Sequence, residues 1–261
     1  MKKNIFLKLS ILFSVCLCIS LFCCREDETD IDSDNRNERV HNDTDNQGNE
    51  QGNEQGSKED KTPSQETHLF TEEEMAYANT AAHEDYMSDD EKRMILLCNL
   101  TRLDGKRFAQ EYLTPYLKQK GIDNQYTQSL YSDLEKTKNM PMFTPLKELY
   151  DAATYHAEEM IANKQFSHNS PNGESFSTRI KRFVKNTQYV SENISARTST
   201  KDAALDFLVQ FLVDENSSEL GHRKAIIGQG GRIADRIGIS IKTNSTWEYK
   251  YVCVQDFVIL Q

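Results

Sequence analysis

His168 in the run FSHNSPNG, Glu192 in SENI and His222 in LGHRKAIIG are the side chains of this 261-residue chain best suited to chemistry. An imidazole exchanges protons near neutral pH and binds divalent metals, and a carboxylate beside it can do either. The three are separated by 24 and 30 residues, so only a tertiary fold can bring them together. Two neutral imidazoles are good ligands for Zn²⁺ at about 2.0–2.1 Å. With His168 and His222 as the only protein ligands, the remaining coordination positions would stay open to water or substrate. A neighbouring carboxylate would hold a metal-bound water or orient a ring. Without metal, the same trio suits acid–base work. Ser167 and Ser170 flank His168, but adjacency in sequence does not make a nucleophile–base pair, and neither GxSxG nor HExxH occurs. A buried hydrogen-bond network around Asn193 and Arg223 is the purely structural alternative.

The elements that must position these residues are read from periodicity and punctuation. Thr71-Glu72-Glu73-Glu74 resembles a capping box. Met94, Leu97, Cys98 and Thr101 recur at helical spacing and predict a helix over 89–103. Residues 107–118 and 128–136 read as further helical pieces, before Pro141 and Pro145. The stripe Leu146, Leu149, Tyr150, Ala153, Ala157, Met160 and Ile161 predicts a helix over 146–163. His156 lies at the edge of that stripe, where a lone histidine reads first as a packed core residue. Residues 174–183, 201–213 and 221–227 read as helices, the first after the Pro171-Asn172-Gly173 turn and the last closed by Gly228. Ile237, Ile239 and Ile241 alternate, as do Trp247, Tyr249, Tyr251 and Cys253, which predicts a β-hairpin around 243–246. Residues 185–188 read as irregular. Helices followed by a terminal hairpin imply an α+β fold.

The N-terminus carries its own signals. Lys2, Lys3 and Lys8 precede an apolar stretch over 11–22, as in a secretory signal peptide. The abrupt change from Cys23-Cys24 to Arg25-Glu26-Asp27-Glu28 resembles a bacterial lipoprotein signal, with residues 1–23 removed and lipid on Cys24. Acidic residues just after that cysteine also resemble surface-export signals of Bacteroidetes-type lipoproteins, which favours an outer-membrane location. Residues 24–67 read as a disordered acidic linker: over 25–67 there are 14 acidic and 5 basic residues and almost nothing apolar. Such a coil would span about 35–40 Å. The folded part, 68–261, is expected to carry the chemistry. Its net charge of −4 offers no basic surface for nucleic acid. Cys98 and Cys253 are too few for a disulfide framework. In an exported protein they could pair or remain two small buried thiols.

The helix LYDAATYHAEEM leading into FSHNSPNGESFSTRI, then SENI, LGHRKAII, IGISI and the ending YVCVQDF, resembles the CAP superfamily (SCP or PR-1-like), in its bacterial branch. The resemblance runs over 89–257, and the stretch 117–145 is longer than a minimal member needs. It implies an α-β-α sandwich with a small antiparallel sheet and a polar cleft lined by two histidines and up to two acids. Carried over by position, these are His168, His222 and Glu192. The second acid, three after an aromatic that is here Phe211, falls on Asp214, although 214–219 holds other carboxylates. Family members are linked to sterol or lipid binding, host interaction and divalent metals. The implied function is a lipid-anchored envelope protein binding a small molecule, lipid, protein or divalent metal such as zinc in that cleft. The alternatives are a metal-dependent, peptidase-like hydrolase and a structural envelope protein with a vestigial site.

Overall fold

The computed structural model describes residues 68–261 except 216, 229 and 230. The expected signal peptide, Cys24 anchor and acidic linker lie outside these residues. Two reciprocal capping boxes open the first helices of the described residues. Thr71 and Glu74 open α1 (Glu72–Ala78), and Ser88 and Glu91 open α2 (Asp89–Leu103), as the periodicity predicted. The expected helix over 107–118 is interrupted. It consists of α3 (Gly105–Phe108), a π-helical turn (Ala109–Leu113) and α4 (Thr114–Lys120), ended by Gly121 with φ 64°. Helix α5 (Gln125–Lys136) begins three residues earlier than expected because Asn124 and Thr127 cap each other.

Four strands form one sheet: β1 (Thr144–Pro145), β2 (Thr187–Arg197), β3 (Arg236–Thr243) and β4 (Tyr251–Leu260), in the order β1-β3-β4-β2. The three long strands are antiparallel, but β1 joins β3 in parallel, so the sheet is mixed rather than purely antiparallel as expected. Helix α6 (Lys147–Asn163) covers one face. Its Ala153, Ala157 and Met160 pack on Ile194, Val252 and Val254. Helix α7 (Phe176–Phe183) joins that layer, with Ile180 against Val190 and Val258. The other face carries Ile237, Ile239, Cys253 and Phe257, which pack with α2 and with Phe207 and Phe211 of α8 (Ala203–Val213). Helix α9 (Gly221–Ile227) follows, closed by Gly228 in the left-handed conformation as expected. The result is the α-β-α sandwich.

Two expectations fail here. Residues 187–197 form the edge strand β2, which extends almost to the start of the stretch read as irregular. Trp247 and Tyr249 do not belong to the hairpin strand. Asn244 binds the carbonyl of Tyr249 and the amide of Trp247 at 2.7 and 2.9 Å, closing a loop before β4 begins at Tyr251. Cys98 and Cys253 are both buried and unbridged, and the Cys253 thiol lies 3.9 Å from the Met94 sulfur.

Candidate functional site

Glu192 owes its direction to strand alternation. Val190, Glu192, Ile194 and Ala196 share the face that packs on α6 and α7, while Asn193 faces the opposite layer. Glu192 is fully buried. Its Oε1 accepts from Nδ1 of His168 at 2.8 Å, and its Oε2 accepts from Nη2 of Arg179, itself fully buried on α7. Burial alone would raise the Glu192 carboxyl. The positive field of His156, the hydrogen bond from His168 and the Arg179 guanidinium outweigh it and hold the group at about 2.

The loop that presents His168 is clamped from both helices of its layer. His156 of α6 binds the Ser167 carbonyl through Nε2 at 2.8 Å. Arg179 of α7 donates through Nη1 to the His168 carbonyl and the Ser170 hydroxyl, both at 3.1 Å. Ser170 in turn donates to Glu159 of α6 at 2.7 Å. His156 is thus a packed core histidine that shapes the site, and burial pushes its imidazole below the ordinary value. Ser167 caps the Asn169 amide at 3.1 Å, so neither flanking serine is paired with the His168 ring.

The second pair forms on the other layer. Asp214 follows α8 in the left-handed conformation, with φ 51°. Its Oδ1 accepts from Nδ1 of His222 at 2.7 Å, and its Oδ2 accepts from the His222 amide at 2.9 Å. The Phe211 ring lies 5.4 Å from that of His222. Beside it Arg223, fully buried, donates to the Val213 and Tyr126 carbonyls, both at 3.0 Å, and to Asp133 at 2.9 Å. The long stretch 117–145 therefore has a use, since its helix α5 braces the turn that carries His222.

Each pair touches β2, at consecutive residues that face opposite layers. Glu192 holds the His168 ring, and Asn193 donates through Nδ2 to the His222 carbonyl at 3.2 Å and to Gln255 at 3.0 Å. In each pair the carboxylate engages Nδ1, so in the neutral imidazole the proton sits on Nδ1 and the lone pair on Nε2. Nε2 of His168 and Nε2 of His222 are both buried and without a hydrogen-bond partner. Among the described residues no three His, Cys, Asp or Glu side chains are grouped to hold a metal ion. A groove of about 420 Å³ between α1, α2 and the π turn involves none of these residues.

The family model for the cysteine-rich secretory protein (CAP) family matches residues 97–257, well over half of the chain and all of both pairs. The chain belongs to the CAP family. Two solved structures resemble this CAP domain. An extracellular protein containing an SCP domain from Bacillus anthracis str. Ames is 25% identical, with TM-score 0.37, over 53% of this chain and 42% of that one. An outer surface protein from Borrelia burgdorferi is 21% identical, with TM-score 0.39, over 54% of this chain and 97% of that one. No curated protein matches the chain.

Sequence reasoning missed Arg179, and it missed Asp256 of β4, which lies across from Glu192. Neither has a local signal. STRI reads as an amphipathic helix and VQDF as a strand end. Only the register of β2 against β4 brings the two acids together.

Proposed function

We propose that this CAP-domain chain is exported, held at the cell envelope by a lipid on Cys24, and binds a ligand through Nε2 of His168 and His222. The observation that carries this reading is the pair of buried, unpartnered Nε2 atoms on rings already fixed through Nδ1. An unmet buried polar atom costs about 1–3 kcal/mol, so two of them at matched positions call for an occupant. The donor chemistry fits a divalent cation such as zinc. His168 and His222 would hold it, Glu192 and Asp214 would orient the rings, and water or a further ligand would complete the coordination. Bound there, the ion would supply Lewis acidity.

Calorimetric titration of the mature chain with Zn²⁺ should show one ion bound with modest affinity. His168→Ala and His222→Ala should each abolish binding, and Glu192→Gln should weaken it. Absence of binding in the wild type, or binding unchanged in both histidine variants, overturns the metal reading. In a soaked crystal the two rings should lie within about 6 Å, the reach of a shared ion. The anchor is tested separately. Cys24→Ala should leave the membrane fraction, and a variant as tightly bound as the wild type refutes lipidation.

The carboxylate–imidazole pairs also support a second reading, a hydrolase using His168 or His222 as general base on water. Its nucleophile would be water because the Ser167 and Ser170 hydroxyls are engaged elsewhere. Loss of both zinc binding and hydrolysis of any ester or peptide probe would leave the structural-protein reading.

A further inference from the structure

Asp256 faces Glu192 directly across the β2–β4 ladder, on the α6 side of the sheet. Its other cross-strand neighbour is Gly238 of β3, which offers no side chain. Helix α6 lies against that glycine so closely that a Cβ there would stand 2.3 Å from the Leu149 carbonyl carbon. Asp256 is fully buried, and neither carboxyl oxygen has a hydrogen-bond donor or surface open to water.

An ionised carboxylate does not persist in such a place. Two carboxyl groups at directly opposed positions of one sheet face cannot both be charged. Glu192 holds the charge because His168 and Arg179 donate to it. Asp256 is then the member that keeps a proton, and the Glu192 carboxylate is the acceptor within reach.

We propose that Asp256 is a positioning residue of the site, a neutral carboxylic acid whose O–H donates to Glu192 and completes the donor set that fixes Glu192 against His168. Burial first, then the Glu192 charge, push the Asp256 carboxyl well above its ordinary range, while Arg179 opposes the shift. The remaining groups around this acid pair are His156 from α6 and His168 from the preceding loop, both of which favour charge on Glu192. The inference concerns Glu192 alone and holds whether or not the imidazoles take a metal.

Infrared spectroscopy of the mature wild-type protein at neutral pH should show a protonated-carboxyl C=O band. Labelling aspartate with ¹³C should move the band, and Asp256→Asn should remove it. The asparagine amide can donate the same bond without a proton to lose. The pH dependence has a fixed sign. In the folded state Asp256 binds a proton that the unfolded chain releases above the ordinary aspartate range. The wild type therefore loses stability relative to Asp256→Asn as pH rises from there to the folded value. The ratio of their unfolding constants should grow about tenfold per pH unit over that window. In nitrogen NMR the His168 Nδ1–H signal should persist in Asp256→Asn and be lost to exchange in Asp256→Ala. The proposal is overturned if the wild type lacks an aspartate-labelled band, if the band survives in Asp256→Asn, or if the ratio is flat with pH. The labelled wild-type spectrum decides even if a variant folds poorly.

Discussion

Glu192 reaches His168 across 24 residues of chain, whereas Asp214 reaches His222 across eight. The first pair is built by tertiary structure. A regular edge strand aims the glutamate, helices α6 and α7 clamp the histidine loop, and a buried arginine neutralises the acid. The second is built by backbone conformation. Asp214 sits in the left-handed region as α8 ends, Leu220 does the same just before α9, and the acid caps the turn it leads into. The same carboxylate–Nδ1 bond is thus reached by a charge network in one layer and by local chain geometry in the other. Each half should therefore fail for its own reason.

The largest effects test that separation. Arg179→Leu strands the Glu192 charge in the interior and should cost about 3–5 kcal/mol in urea unfolding, as breaking a buried ion pair does. Phe211→Ala empties a core position against His222 and should cost a similar 3–5 kcal/mol by cavity formation. In variants still folded, ring NMR signals should move at His168 for the first and at His222 for the second. If either substitution disturbs both rings equally, the halves are one cooperative unit and the comparison fails.

Strong acid should weaken the charge network. The folded Glu192 carboxyl lies at about 2 against an ordinary value of 4.5. Its contribution is complete above the ordinary value and is lost as pH falls toward the folded one, a term on the order of 3 kcal/mol. Unfolding free energy measured down that window should fall less steeply in Glu192→Gln than in wild type. Parallel curves would mean that Glu192 is not the titrating group.

The difference between the halves also explains what could be read in the sequence. Helix α2 was legible because its apolar positions repeat at helical spacing, and the Ser88–Glu91 capping box found in the structure fixes its start. Strand β2 was not legible. Glu192 interrupts its inward row Val190, Ile194 and Ala196, and a buried charge reads as a surface residue until its partners are known. Trp247 and Tyr249 erred the other way, alternating like a strand while Asn244 folds them into a loop. His168, Glu192 and His222 stood out by residue type, and Asp214 only through the family resemblance, which implies an acid three after an aromatic, here Phe211. Helical periodicity already placed His156 as a packed core residue, whereas Arg179 and Asp256 act through burial and register, which no local pattern encodes.

The smallest effect probes the backbone half most directly. Asp214→Ala removes the acceptors for the His222 ring and amide and places a Cβ residue without a local hydrogen bond at φ 51°. Asp214→Gly loses the same two bonds, but glycine adopts that conformation without a steric penalty. If chain geometry holds this half, the glycine variant should be the more stable of the two by about 1 kcal/mol, although glycine usually costs stability in the unfolded-state balance. Asp214→Asn, which tolerates the left-handed region and keeps one acceptor, should lie closer to wild type than either. Denaturant midpoints of the three variants measure the order. Equal midpoints for glycine and alanine would show that the carboxylate bonds, not the backbone, place His222, and the two halves would then differ only in sequence distance.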